Sequence, residues 1–441
     1  MRIAASLLLA TALTAPAVAL ASGSALRDDL AAMDVTLSWS DEREEADGIA
    51  LADAVIMGDR LQIEAEHLLY DPDTGEVTLT DVRFIDRRGE TAAEASAQEL
   101  IAQDAQSFHL VNETEICGSE ATDDLHATMT EMRGLTVIPE QQSESRMGAE
   151  RFAMDRVVAR SRVAADGSCV TFDEAQIQGV TSVSPAGDTA TIEAIDMRAA
   201  FDGQSAAAFD FDLRNLTATD AGGRAVASFG RMAISTNVTG DIPQSVPTDP
   251  GRAFDMLLRT SGTHDIEIRD LFVETPEEFG GDEMRGHIVA RFAHNAEAID
   301  TLLDIDVQGL ARLNLDLGLV VQPEGTNGGL SAMLGDEPGL AAAERLAISR
   351  LRFSAADLGA VDIAEQNAGM GRDEIMAQLR RQLGRLPQPL IEPTTSFAEA
   401  VLDGGAGFRA EPPQPVALTQ IIMTGMLQPQ MLGSILAISA D

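Results

Sequence analysis

The chain has 441 residues, 31 basic against 71 acidic side chains and a formal net charge of −40. Every basic residue is Arg, for no Lys occurs, which removes the lysine of a P-loop, a Schiff-base lysine and a Ser-x-x-Lys nucleophile together. No basic stripe remains to displace counterions, so nucleic acid is excluded as a partner, while 45% apolar residues can build a sizeable core and argue against wholesale disorder.

Taken from the N-terminus, Arg2, an apolar stretch over 7–19 and the small-x-small triplet Ala19-Leu20-Ala21 before Ser22 have the layout of a secretory signal peptide. Cleavage at Ala21 predicts a mature chain starting near Ser22 and a periplasmic destination. The alternative is an uncleaved membrane anchor, but the stretch is short for a span. No later run reaches 18 apolar residues, so no transmembrane span is expected in the mature chain. Cys117 and Cys169 are an even pair in an exported protein and predict one disulfide, the alternative being two separate buried thiols. The bridge would close a loop of roughly 50 residues, worth up to about 4 kcal/mol.

Period-two text dominates. Leu313, Leu315, Leu317 and Leu319 alternate with Arg312, Asn314, Asp316 and Gly318, and Phe209, Phe211 and Leu213 alternate with Asp210, Asp212 and Arg214, as half-buried antiparallel strands do. A finer pattern places apolar residues at i, i+2, i+5 and i+7. It occurs at Val77, Leu79, Val82 and Phe84; at Val170, Phe172, Ala175 and Ile177; at Phe211, Leu213, Leu216 and Ala218; at Ile266, Ile268, Leu271 and Val273; and at Leu346, Ile348, Leu351 and Phe353. Strict alternation sends the second pair to the other face, so one extra residue, a bulge, is needed to bring all four to one side. The alternative is a strand that switches faces between two cores. Repeated bulges predict a mainly β fold: large curved, bulged antiparallel sheet with a few helices near the C-terminus.

Helices are expected over 373–383, where Ile375, Leu379 and Leu383 share a face, after a capping box of Ser396 and Glu399 ended by Gly404, and over 418–426. Residues 92–103 are Ala- and Glu-rich and could be helical. Pro243, Pro247 and Pro250 mark a composition break at 240–251, which divides a β-rich module over 25–244 from a second over 245–441 that ends in helices.

The chemistry is sparse. His67, His109, His126, His264, His287 and His294 are scattered, and His287 and His294 are seven apart, on opposite faces of a regular strand, so no metal site is expected. No Gly-x-Ser-x-Gly elbow occurs, and Ser261 to Asp265 reads as a turn leading into the strand of Ile266 and Ile268. Asp71, Asp73, Gly75 and Glu76 loosely resemble a calcium loop but lack its distal Glu, and a hairpin turn is the simpler account. No catalytic residue or cofactor is expected.

The phrases Leu79-Thr80-Asp81-Val82-Arg83-Phe84, Ile268-Arg269-Asp270-Leu271 and Gly309-Leu310-Ala311-Arg312-Leu313-Asn314-Leu315 resemble the strand text of AsmA-like and YdgA-like bacterial envelope proteins. The ending, with Pro412, Pro413, Pro415 and Pro429, is similar to exported proteins of alphaproteobacteria. The resemblance implies curved sheets with apolar channels that handle lipids, and partners among lipids or envelope proteins; it carries no catalytic residues. The functional expectation is a non-enzymatic envelope protein that holds a lipid-like ligand in a curved sheet. The candidate lining is Val77, Leu79, Val82 and Phe84 in the first half and Leu313, Leu315, Leu317 and Leu319 in the second. The alternatives are a structural or interaction module with a closed core and a carboxylate-dependent hydrolase.

Overall fold

A computed structural model describes residues 23–87, 93–112, 115–117, 125–139, 151–164, 169–202, 206–240, 256–274, 283–323, 344–362, 365, 369–383 and 388–440. Ala19, Ala21 and Ser22 lie outside the described residues. The fold is mainly β, with the described strands joined in one hydrogen-bonded sheet whose neighbours are antiparallel apart from one short parallel pairing. The chain divides into two compact units, 1–145 with 150–173, and 146–149 with 174–441. The break therefore falls inside a strand and not at 240–251. Gly240 and Thr260, on either side of that proline-rich stretch, are cross-strand partners, so the stretch joins two paired strands instead of separating modules.

The strands run in chain order as β1 (Thr36–Ser38), β2 (Asp41–Glu45), β3 (Gly48–Met57), β4 (Leu61–Tyr70), β5 (Val77–Asp86), β6 (Ala93–Ala102), β7 (Glu115–Ile116), β8 (Leu125–Pro139), β9 (Arg151–Ala164) and β10 (Cys169–Val183). In the first unit, β3 to β6 pair in sequence and β6 pairs with β8. The 92–103 segment, read above as a possible helix, is the strand β6. Its Ala97, Leu100 and Ala102 are buried, and the pairings to β5 and β8 override the helical propensity of Ala and Glu.

Two short elements close the apolar face of this unit. Helix α1 (Gly23–Ala31) places Leu26 and Leu30, one turn apart, wholly inside. A 3-10 turn, Ala105–Val111, is opened by a reciprocal cap between Asp104 and Ser107 and buries Phe108 and Val111. With Leu51, Ile56, Ile63, Leu68, Val77, Leu79 and Val82 they form one continuous core. Cys117 is bonded to Cys169, and the Cys117 amide donates to the Val170 carbonyl at 3.0 Å.

The i, i+2, i+5, i+7 pattern has a backbone cause. In β3 the buried set Ile49, Leu51, Ala54 and Ile56 brackets Asp53, and in β5 Val77, Leu79 and Val82 bracket Asp81; Asp53 and Asp81 are left-handed, at φ 48° and 52°. Phe84 is half-buried and packs against the same core. Gly134 of β8 is left-handed as well, at φ 61°. Asp, Asn and Gly are the residues that reach this region at least cost. The register stays in step across the irregularity, with Thr80 opposite Glu99 and Val82 opposite Ala97. The partner strand β4 repeats the spacing, burying Ile63, Ala65, Leu68 and Tyr70. Both partners take the extra residue at the same level, so these strands share a crease and not the two-against-one bulge expected from the sequence.

The second unit continues with β11 (Thr189–Asp202), β12 (Ala206–Thr219), β13 (Ala225–Gly240), β14 (Thr260–Glu274), β15 (Glu283–His294), β16 (Ala298–Gln308), β17 (Ala311–Val321) and β18 (Leu346–Asp357), each antiparallel to the next. It ends with β19 (Ala406–Ala410), β20 (Val416–Ala417) and β21 (Ile438–Ala440). Left-handed Gly179, Asn215 and Asp270 form the crease here. At Asp270 it terminates: Ile268 and Leu271 oppose Ile288 and Gly286, so β14 has two residues against one of β15. Ser349 is a second such bulge, between Ile348 and Arg350, and its hydroxyl donates to the Gly318 carbonyl at 3.0 Å. The Val170 copy of the pattern is displaced. Thr171 and Ala175 are buried while Phe172 is exposed, and the left-handed residue of β10 is Gly179.

Among the described residues β18 is followed by α2 (Arg372–Leu383), α3 (Gln388–Leu402), α4 (Leu418–Leu427) and the single turn α5 (Leu432–Ile435). Ser396 lies inside α3, so it caps nothing; that helix begins eight residues earlier with Pro389 in its first turn, where a missing amide proton is tolerated. Gly404 and Gly405, both at positive φ, stop it.

Candidate functional site

Cross-strand registers in the second unit align apolar residues in rows. One row is Met197, Phe211, Ile234, Ile266, Ala290, Leu303 and Leu315 on β11 to β17; the next is Ile195, Leu213, Met232, Ile268, Ile288, Ile305 and Leu313. Alternation places the intervening residues on the opposite face. That face is charged and internally paired: Arg231 meets Asp212 at 2.8 Å, Arg269 meets Glu267 at 2.6 Å, and Arg291 meets Asp265 at 3.2 Å. Following the alternation through the crease, every Asp, Glu and Arg of β11 to β17 falls on the charged face or at the crease itself.

Unlike the face in the first unit, the apolar face here is not closed by the described residues. Phe209 and Ile266 are 38% and 42% exposed, and Leu313, Leu315, Leu317 and Leu319 are all half-buried. Apart from the turn over 256–259, whose Leu257 carbonyl meets His294, the described cover is at the far edge. There Phe397 of α3 packs on Phe353 of β18 and Phe408 of β19, with all three ring centroids within 5.9 Å of one another.

Of the sequence candidates, Leu313, Leu315, Leu317 and Leu319 lie on this open face. Val77, Leu79 and Val82 lie in the first unit's core with no more than 2% of their surface accessible, filled against Leu26, Leu30, Phe108 and Val111. They pack the protein's own side chains and line no opening.

A third row contains polar groups that the sequence reading did not single out: Ala199, Phe209, Thr236, His264, Phe292, Thr301 and Leu317. Residues 261–265, expected to form a turn, are inside β14, so His264 shares a face with Ile266 and Ile268. The His264 ring stacks on His294 at 5.6 Å and 11°, and Phe292 lies 5.7 and 5.5 Å from the two. His294 is 4% exposed, and its Nδ1 is 3.1 Å from the Leu257 carbonyl. Gly262 makes room for it: a Cβ there would stand 2.7 Å from His294 Nε2. His264 Nδ1 lies 3.3 Å from the Thr236 hydroxyl. Burial, and then the neighbouring His294, push the His264 pKa below its ordinary value against a smaller opposing pull from Asp265. The signal was present in the sequence as parity, since His264 keeps step with Ile266 and His294 with Phe292.

His287 is on the charged face, 3.2 Å from Asp304, so the two histidines of β15 do diverge as their odd separation requires. A cleft of about 990 Å³ near the Asp270 bulge is lined by Glu267, Arg269, Asp270, Phe272, Arg285 and His287. Its arginines are paired with carboxylates or laid over Phe272, which leaves neither of them free to read an anionic ligand. Among the described residues no cluster of three or more His, Cys, Asp or Glu can hold a metal ion, and no helix is long and apolar enough to cross a membrane. Asp71 is a turn residue whose carboxylate accepts from the Asp73 amide at 2.9 Å and the Thr74 hydroxyl at 2.7 Å. No protein-family model matches the chain, and no curated protein does so either.

Proposed function

We propose that the chain is an exported, non-enzymatic protein of the cell envelope that holds an elongated lipid-like ligand against the apolar face of β11 to β17. The observation that carries this reading is a broad sheet face without Asp, Glu or Arg that leaves Phe209 and Ile266 substantially exposed. Apolar surface left to water is unfavourable at roughly 25 cal/mol per Å², and large patches on a monomer mark interaction sites. Six inter-strand steps of about 4.8 Å give a width of roughly 29 Å, enough for an extended acyl chain lying across the strands. The resemblance to AsmA-like strand text points the same way, and the disulfide fits an oxidising compartment.

The test is native mass spectrometry and lipid extraction of protein purified from its host envelope, beside a Phe209→Asp, Ile266→Asp double variant. Co-purifying lipid that the variant loses supports the reading, and its absence from the native protein overturns it. The N-terminus of the same sample should fall near Ser22, while an intact Met1 would remove the export claim. The first unit, whose core is closed by α1 and the 3-10 turn, suits the structural alternative and is assigned no ligand.

A further inference from the structure

On the apolar face of β11 to β17 every strand contributes uncharged side chains, and the groups able to carry a proton charge are His264 and His294, stacked beside Phe292. We propose that this histidine pair is the headgroup end of the site and binds the carboxylate of a long-chain fatty acid whose tail lies along the apolar rows. The inference rests on the ligand reading above and adds to it the ligand's chemical class.

The histidine pair and the apolar rows complement the two ends of such a ligand. An acyl chain needs only apolar surface, but a carboxylate brought to that surface loses water and needs donors in return. The pair can supply them. Thr236 and the Leu257 carbonyl engage the Nδ1 atoms, and neither Nε2 has a hydrogen-bond partner among the described residues. Of the elements packed around the pair, the turn over 256–259 presents the Leu257 carbonyl and carries an exposed Arg259, and β16 places Ile299 opposite His294 and Thr301 opposite Phe292. β13 presents Thr236, β15 presents Phe292, and the adjacent Asp265 faces the other side, where it pairs with Arg291. Without ligand, burial and then the neighbouring His294 favour a neutral His264 ring. A bound carboxylate reverses that preference, because an anion at hydrogen-bond distance stabilises an imidazolium. Binding should therefore take up a proton and tighten as pH falls.

The experiment measures binding of palmitic acid and of its methyl ester to the full mature chain by calorimetry at pH 6 and pH 8, below micelle-forming concentrations. The acid should bind between tenfold and about a hundredfold more tightly at pH 6 than at pH 8, since one linked proton gives up to tenfold per pH unit over these two units, and the ester should show no pH dependence. His264→Gln should weaken the acid about tenfold and flatten its pH dependence while leaving the ester unchanged. His294→Asn, which keeps a donor for the Leu257 carbonyl, should act likewise, and ester binding confirms that each variant is folded. If the acid and ester bind alike at both pH values, or if both variants keep the wild-type pH dependence, the headgroup assignment is overturned and the apolar site stands. If neither probe binds, both the assignment and the ligand reading fail.

Discussion

Asp81 offers the sharpest test of the crease. It is exposed, its carboxylate has no hydrogen bond or ion pair among the described residues, and its φ is 52°, so a substitution there changes backbone preference and little else. In an ordinary strand Gly is worse than Ala by about 0.5–1 kcal/mol for entropic reasons. At a left-handed position the Cβ of an L-residue costs roughly 1–2 kcal/mol, which outweighs that entropy. Asp81→Gly should therefore be neutral or stabilising. Asp81→Ala should fall about 0.5–1 kcal/mol below the glycine variant, and the β-branched Asp81→Val lower still. Urea unfolding followed by Trp39 fluorescence reads this locally, since Trp39 is the chain's one tryptophan and packs against the core containing Val82. With a slope of about 2 kcal/mol/M, the alanine and glycine midpoints should differ by about 0.3–0.5 M. The same exchange at Thr80, one residue earlier and in ordinary strand geometry, should give the reverse order. Valine tolerated at 81 as well as glycine, or the same order at both positions, would refute the crease as the reason for the five-residue spacing.

Three further outcomes follow from the first unit, all read by Trp39. Phe108→Ala should cost about 3–5 kcal/mol, because Phe108 is wholly buried where the 3-10 turn closes the sheet; a loss below about 1 kcal/mol in the unfolding free energy from urea titration would mean that the turn is not part of the core. Reducing Cys117–Cys169 should lower stability by up to about 4 kcal/mol, seen as a midpoint shift with dithiothreitol that the Cys117→Ser, Cys169→Ser variant does not show. Glu131 is 6% exposed and hydrogen-bonded first to Arg156 and then to Arg133, which lowers its pKa from 4.5 to about 2. A depressed acid stabilises the fold above its unfolded pKa and loses that contribution as pH falls from about 4.5 towards 2. The wild type should therefore lose more stability than Glu131→Gln between pH 5 and pH 3, and equal losses would show that the Arg pairing does not stabilise the fold.

Much of the fold is legible in local text, because a strand facing a core on one side must alternate, and a break in the alternation must either switch faces or insert a residue. The Val77, Phe211, Ile266 and Leu346 copies marked true irregularities, and Asp81, Asn215 and Asp270 stood where a left-handed residue was needed. Three things were not readable this way. Whether a neighbour shares the extra residue depends on register, which made most sites a crease but gave bulges at Ser349 and, against β15, at Asp270. Residues 92–103 became a strand because two partners were waiting to pair with them. The contribution of α1 also went unseen, since Leu26 and Leu30 alone are a weak helical pattern until the sheet beneath buries them.

The sequence by itself determined the acidic, lysine-free surface, the alternating strands and the cysteine pair, since each follows from composition or from one strand's own period. Only the tertiary structure decided which apolar strands are closed and which are open: Val77 and Ile266 read alike along the chain, yet one is sealed by Leu26 and Phe108 and the other is left 42% exposed. It also brought His264 beside His294, thirty residues apart in the chain. The physical reason is the same in both cases. Period and composition assign a side chain to a face, whereas what lies over that face depends on elements distant in sequence that pairing and packing bring to it.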